Sequence, residues 1–599
     1  MKSFFKNVLQ HVVAQVIVGI LLMGFAFVMM VSIIATIGMP ETTVPKSAVL
    51  VFNLNTSITD SPSQSDAQDL IADALSEGNS SKLYLHKVVS TLRTAAKDKR
   101  IKGLLLQGNL RTVDGSSSYA AIREILTAVE EFKKTGKPVH AHVMSPDLRT
   151  YCLLSSANRL AMNPFGDLTL NGLSAEIPFY GTALKKLGVG IQPVRTGKYK
   201  SAIEPYTSES FSEEARTQMQ DLFDHRWKSI LGQISNAREI EESQLLGLLE
   251  EKFHFSPEEA LNAGLVDDVA TTQEVVKKLI KVSSKDSDTG SFTQINLSDY
   301  AESHEVKESA NSSADVVAVL YVEGVIVDGE SMQGYSGSST FRRQIAKLRE
   351  RDDVKAVVLR VNSPGGSASA SEVIRQSILD FQSTNRPLVV SMGGMAASGG
   401  YWVSAPAQRI IAQPDTVTGS IGVYGMLIDL ASLSGKLGLT FDTISSGEHI
   451  NPYAVSRPKN DDEIAFVQEI VDEIYEDFLT NVAAHRGMER DAVHEIAQGR
   501  VWTGNQALEN GLVDEIGGLE EAVETAADLA GIGDFQLEHH PEEKTSLEVI
   551  AEMLGEDLAH QRKLSLIEAQ IHAMQNELKK LRAWNDPRNI YARLPYSIF

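Results

Sequence analysis

The residues best placed to do chemistry are a serine, a lysine and the glycines around them. Ser398 sits in residues 391–405, S-M-G-G-M-A-A-S-G-G-Y-W-V-S-A. An apolar run at 387–390 precedes this stretch and reads as a buried strand, and a helix-like segment follows. A serine at a strand-to-helix handover exposes its hydroxyl and has free helix N–H groups aimed at the same spot. Acyl transfer needs that pairing of nucleophile and oxyanion site. The competing explanation is that Gly and Ala simply let a strand and a helix pack closely. A serine hydroxyl is also a weak nucleophile until a neighbour accepts its proton. Lys200, in the run G-K-Y-K-S-A-I-E-P of residues 197–205, can do so only when neutral, which demands burial or a like-charged neighbour. Most lysines are solvated surface charges, so the surrounding elements decide the matter.

Those elements come in two copies. Residues 260–269 (A-L-N-A-G-L-V-D-D-V) match 507–516 (A-L-E-N-G-L-V-D-E-I), and 151–164 match 401–414 at an offset of 250. K-G-L-L-L at 102–106 matches K-A-V-V-L at 355–359, and 48–54 and 316–322 are both apolar, β-branched-rich strands. Each half alternates short apolar strands with helix-length segments such as 119–133 and 370–382, the pattern of layered α/β units.

The offset shows what each half holds at the other's special positions. Ser398 corresponds to Leu148, which cannot be a nucleophile. The N-S-P-G-G of residues 362–366 has no Gly-Gly counterpart near residues 109–115. Lys200, shifted by 250, falls on Ile450. Reciprocal loss of half-sites predicts one composite site, with the lysine from the first half and the serine from the second. The interface between the halves would supply the desolvation that a neutral lysine needs.

A chain of 599 residues exceeds a single core. Its net charge of −22 argues against a nucleic-acid partner, which would need a basic face. The single cysteine, Cys152, excludes an intramolecular disulfide and a cysteine-based metal site. Residues 12–39 are 28 positions without a charge, preceded by Lys2 and Lys6 and followed by Glu41. That is long enough to span a bilayer as an uncleaved anchor, with the bulk of the chain on the non-cytoplasmic side. The expected division is 1–46, cytoplasmic stub and anchor; 47–282, first repeat; 283–314, a Ser/Asp/Glu-rich linker; 315–540, second repeat; and 541–599, a helical extension. The extension carries an apolar stripe at Leu564, Ile567, Ile571, Met574, Leu578 and Leu581.

Residues 394–402 (G-M-A-A-S-G-G-Y-W), 361–366 (V-N-S-P-G-G), 418–425 (T-G-S-I-G-V-Y-G) and 199–205 (Y-K-S-A-I-E-P) resemble the long, two-domain form of bacterial signal peptide peptidase A. The resemblance covers both halves and the anchor. It implies an α/β fold of two tandem Clp-protease/crotonase-like domains behind an N-terminal transmembrane helix, and a serine protease with a Ser–Lys dyad. By motif, Ser398 resembles the nucleophile, Lys200 the general base, and Ser420 the serine that positions the lysine. The Gly365–Gly366 loop and the Gly399 N–H resemble the oxyanion hole, with Gly365 preferred over Gly366. Gly419, Ile421, Gly422, Val423 and Tyr424 resemble the strand lining the substrate groove. The resemblance further implies a homotetramer in the bacterial inner membrane, N-terminus cytoplasmic and catalytic domains periplasmic. Its substrates would be signal peptides left after preprotein processing, and it would need no metal or cofactor. Lys198 lies two residues from Lys200 and in a strand would face the same side, so the choice between them rests on the resemblance.

Three other readings compete. His449, beside Ile450, could serve a Ser–His pair, yet no Asp is placed to orient it. A crotonase-like acyl-CoA enzyme would want catalytic carboxylates and no anchor. A non-catalytic tethered scaffold would have no reason to keep Ser398, Lys200, Ser420 and the Gly-Gly loop together. The apolar run I-G-V-Y-G-M at 421–426 predicts an apolar-leaning substrate pocket.

Overall fold

Long apolar runs decide the architecture. Val316–Glu323 (VVAVLYVE) and Val354–Ser363 (VKAVVLRVNS) are buried along nearly their whole length, as strands of a parallel sheet covered by helices must be. The computed structural model describes residues 43–62, 82–111, 116–303, 315–446, 451–542, 586 and 590–594. Among the described residues no helix is long and apolar enough to cross a membrane. The expected span at 12–39 and the stripe from Leu564 to Leu581 lie outside them.

The first half is a parallel sheet in the order Asp268–Val269, Arg159–Met162, Val139–Val143, Ile101–Gln107, Ala48–Asn53, Gln294–Asn296. The second half repeats that order with Glu515–Ile516, Arg409–Ala412, Leu388–Ala397, Val354–Ser363, Val316–Glu323 and Gln536–His540. Side-chain details repeat too. Each half carries a 26-residue helix, Glu213–Arg238 and Asp461–Arg486. The last arginine of each holds an aspartate, Arg238 to Asp267 at 2.8 Å and Arg486 to Asp514 at 2.7 Å. Tyr151 donates to the Leu265 carbonyl at 2.7 Å, and Tyr401 to that of Leu512 at 2.9 Å. The duplication is therefore one of fold, with shared internal fastenings.

Within the expected linker, residues 283–303 are described, and they pack onto the first half. Gln294–Asn296 is an edge strand of the first sheet and Leu297–Glu302 a short helix, with Phe292, Ile295, Leu297 and Tyr300 buried. Four large apolar residues spaced through a Ser/Asp-rich stretch are enough to dock it. The end of the expected helical extension differs as well, because Ile590–Arg593 is a strand.

A third sheet joins the halves, in the order Tyr335–Gly337, Val325–Val327, Gly365–Ser367, Ile590–Arg593, Val423–Asp429, Gly190–Thr196. Its last strand comes from the first half and pairs antiparallel with the second, from Thr196 opposite Val423 to Gly190 opposite Asp429. Lys200 follows that strand by four residues and is thus carried across the boundary between the repeats. A buried ionic network fastens the same boundary. Arg360 donates to Asp60 at 2.6 Å and Glu124 at 2.7 Å, both from the first half, and to Ser391 at 2.7 Å.

Candidate active site

Ser398 follows the strand Leu388–Ala397 and precedes the helix Gly399–Ser404. Its backbone has φ 56° and ψ −113°, a conformation that costs a side-chain-bearing residue about 1–3 kcal/mol. Packing on both sides holds it there: the Ser398 N–H donates to the Gly419 carbonyl at 2.8 Å, and the Trp402 N–H donates to the Ser398 carbonyl at 2.8 Å. The two glycines that follow are required by close approach. A Cβ at Gly399 would lie 2.6 Å from Ser371 Oγ, and one at Gly400 would lie 2.7 Å from the Ser363 carbonyl.

Lys200 Nζ lies 2.7 Å from Ser398 Oγ, 2.9 Å from the Ser420 carbonyl and 3.1 Å from Ser420 Oγ. A neutral amine has two N–H donors and one lone pair, which matches these three oxygens if the serine hydroxyl donates to the lone pair. Lys200 is 1% exposed. Burial alone holds its ammonium well below the usual lysine value. No carboxylate among the causes of that shift pulls it back up. Lys198 is in a different situation: it is exposed, its ammonium 5.1 Å from the centre of the Tyr199 ring. The two lysines fall in a turn rather than a strand, so they do not share a face.

Ser420 also has a positive φ, 51°, and its N–H donates to the Arg500 carbonyl at 2.6 Å. It meets the lysine through its carbonyl as well as its hydroxyl, a contact that no side-chain motif announces. Gly419 ends the strand Val417–Gly419, Ile421 is in the core of the second half, and Val423 and Tyr424 open the strand Val423–Asp429. Gly422 lies against the lysine stem, since a Cβ there would come 3.3 Å from Lys200 Cδ. Of the two loop glycines, Gly365 has φ 92° and its N–H donates to Ser363 Oγ at 3.1 Å. That amide is already committed to a side chain, which counts against the preference for Gly365 drawn from sequence. His449 lies outside the described residues.

Sequence reading missed the loop that packs the lysine in place. A Cβ at Gly499, which has φ 82°, would lie 2.6 Å from the Lys200 backbone nitrogen. The Gln498 carbonyl accepts from the Tyr199 N–H at 2.9 Å, and Gln218 Nε2 donates to the Tyr199 carbonyl at 2.9 Å. Gly499 carries no reactive group, so nothing in its type or spacing marks it.

A strained serine hydroxyl bonded to a desolvated amine, on a Clp-protease-like α/β scaffold, defines a serine peptidase. Comparison with known proteins agrees. A model of Peptidase family S49 matches residues 131–285 and again 380–533, and a Clp protease model matches 308–417. Protease 4 of Haemophilus influenzae is 33% identical over 97% of this chain and 96% of its own. Protease 4 of Salmonella typhi is 33% identical over 91% of this chain and 89% of its own. The chloroplastic serine protease SPPA of Arabidopsis thaliana is 31% identical over 77% and 68% respectively. The chain belongs to peptidase family S49 and is a serine protease, with the family region duplicated.

Proposed function

We propose that this protein is a membrane-anchored endopeptidase that degrades signal peptides released from preproteins, with Ser398 as nucleophile and Lys200 as general base. The observation that carries the reading is the 2.7 Å contact between Lys200 Nζ and Ser398 Oγ in a site closed to water. Neutral Lys200 takes the hydroxyl proton as Ser398 attacks the scissile carbonyl. The amides of Gly366 and Gly399 hold the oxyanion, and Lys200 then protonates the leaving amine. Water, activated by the same amine, releases the acyl group from Ser398. Ser420 keeps the amine aimed.

The first repeat supplies the base and the second the nucleophile. The uncharged stretch at 12–39 supports a single-pass anchor that leaves both repeats outside the cytoplasm. The resemblance to signal peptide peptidase A supports the homotetramer and the substrate class. The apolar strand Val423–Asp429 suits extended, apolar chains, which signal peptides are.

The test uses the purified full-length chain in detergent with synthetic signal peptides and, separately, a folded globular protein. Cleavage of the peptides alone, abolished in Ser398→Ala, is the expected result. Signal peptides left intact while a folded substrate is cut would overturn the substrate assignment.

A further inference from the structure

Gln218 is a buried amide on the far side of Lys200 from the chemistry. It is the sixth residue of the first repeat's long helix, Glu213–Arg238, and is 5% exposed. The sixth residue of the matching helix in the second repeat, Asp461–Arg486, is Phe466, which is 50% exposed. Burying a neutral amide costs free energy unless its polar atoms find partners. Gln218 finds three. Its Nε2 donates to the Tyr199 carbonyl at 2.9 Å and to Ser201 Oγ at 3.3 Å, the residues on either side of Lys200. Its Oε1 accepts from the Val501 N–H at 3.3 Å.

Val501 leads to the nucleophile. Its strand, Val501–Thr503, pairs antiparallel with Val417–Gly419, and Val501 stands opposite Gly419. The Gly419 carbonyl in turn accepts from the Ser398 N–H at 2.8 Å. One side chain thus joins the lysine turn of the first repeat to the strand that holds the serine of the second.

Gln218 also walls off the lysine. With Tyr199, Lys200, Ser201, Ser420 and Gly499 it lines a cavity of about 10 Å³. A water molecule needs roughly 10–15 Å³ of such space, so the cavity is at the lower limit for one. The charged groups around it are matched or turned away. Asp221, three residues along the helix, pairs with Arg500 at 3.2 Å, and Arg500 lies 5.6 Å from the centre of the Tyr199 ring. Glu204 pairs with Arg195 at 3.2 Å and accepts from Ser212 Oγ at 2.7 Å. Arg593 lines the cavity, and Lys198 is exposed. None of these charges accounts for the lowered proton affinity of Lys200, whose cause is burial alone. Whatever keeps water from the amine therefore sets how readily it acts as a base.

We infer that Gln218 is a positioning residue for the Ser–Lys pair: it ties the lysine turn to the serine's strand and keeps water off the amine. The inference rests on the assignment of Ser398 and Lys200 made above. Gln218 touches neither substrate nor the reacting atoms, so its effect passes through Lys200. A shorter side chain at this position releases Tyr199, Ser201 and Val501 from their common partner and enlarges the cavity enough to admit water. A hydrated ammonium holds its proton more tightly, so less neutral base is present at a given pH.

The pH profile of kcat/KM tests this, measured on the purified full-length chain with a synthetic signal peptide in Gln218→Ala, Gln218→Asn and Phe466→Ala. The acid limb of that profile reports the free enzyme's base. In Gln218→Ala it should move up by about one pH unit, with activity about tenfold lower on the limb, recovery above it and KM little changed. Gln218→Asn keeps an amide on a shorter arm and should shift the limb the same way by less. It carries the test if the alanine variant does not fold. Phe466→Ala should leave the profile in place. In either Gln218 variant that folds, a uniform loss at every pH with the limb unmoved would overturn the inference by showing a merely structural role. An unchanged profile would overturn it as well. If Lys200→Met keeps the wild-type profile, the base assignment itself falls, and this inference with it.

Discussion

The two repeats meet the same task, passing from a central strand to a short helix, in opposite ways. In the first, Asp147 is an ordinary cap with φ −71°, its carboxylate accepting from the Thr150 N–H at 2.7 Å, and buried Leu148 follows. In the second, Ser398 caps nothing with its side chain and is held at φ 56°. The first junction is relaxed and inert. The second gives up a capping bond, typically worth about 1 kcal/mol, and leaves its hydroxyl free for Lys200. The first repeat contributes elsewhere, by lending an edge strand to the third sheet and the lysine behind it. On the proposed assignment each copy holds one half of the site, and the shared sheet brings the two halves together.

The largest expected effects lie on the reactive pair. Ser398→Ala and Lys200→Ala should each lower kcat/KM by roughly 10⁴–10⁶-fold, whereas Leu148→Ala, at the matched position of the first repeat, should retain turnover in a peptide assay. Next comes the joint between the repeats. Arg360→Ala leaves Asp60 and Glu124 buried without their cation, and denaturant unfolding should record a loss of about 3–5 kcal/mol. Gln107→Ala, at the matched strand position of the first repeat, should cost far less.

Gly499→Ala should lower kcat by about 10²-fold, because a displaced Lys200 backbone misplaces the amine, with KM little changed. Ser420→Ala removes one of two bonds that aim the amine and should cost about tenfold, since the Ser420 carbonyl remains. The smallest effect concerns stability. An unfolded lysine binds a proton at neutral pH that the buried one resists, so folding is disfavoured there and stability rises with pH toward the ordinary lysine value. Lys200→Met should therefore raise Tm slightly at pH 7 while abolishing activity. A fall in Tm would mean that the amine is held charged.

The sequence carried much of this, for physical reasons that can be named. Apolar runs with offset partners gave the duplication, and the absence of a serine at Leu148 and of a lysine at Ile450 pointed to a shared site. The contacts that hold Lys200 in place, on which its proposed role as base depends, were not legible. They come from a backbone carbonyl on Ser420, a glycine at position 499 and a carbonyl on Gln498, none marked by side-chain chemistry. The commitment of the Gly365 amide to Ser363 was hidden for the same reason. Residues 283–303 misled because polar composition outweighed four well-spaced apolar anchors. The strand Ile590–Arg593 is too short to stand out from the helical stripe before it.

The most direct measurement of a site shared between repeats is covalent trapping with a serine-directed fluorophosphonate, followed across pH and mapped by mass spectrometry. The expected result is a single adduct on Ser398 whose rate falls as pH drops and Lys200 becomes protonated. That adduct should be absent in Lys200→Met and kept in Lys198→Met and His449→Ala. Labelling of Ser398 that survives Lys200→Met but disappears in His449→Ala would contradict the composite Ser–Lys site.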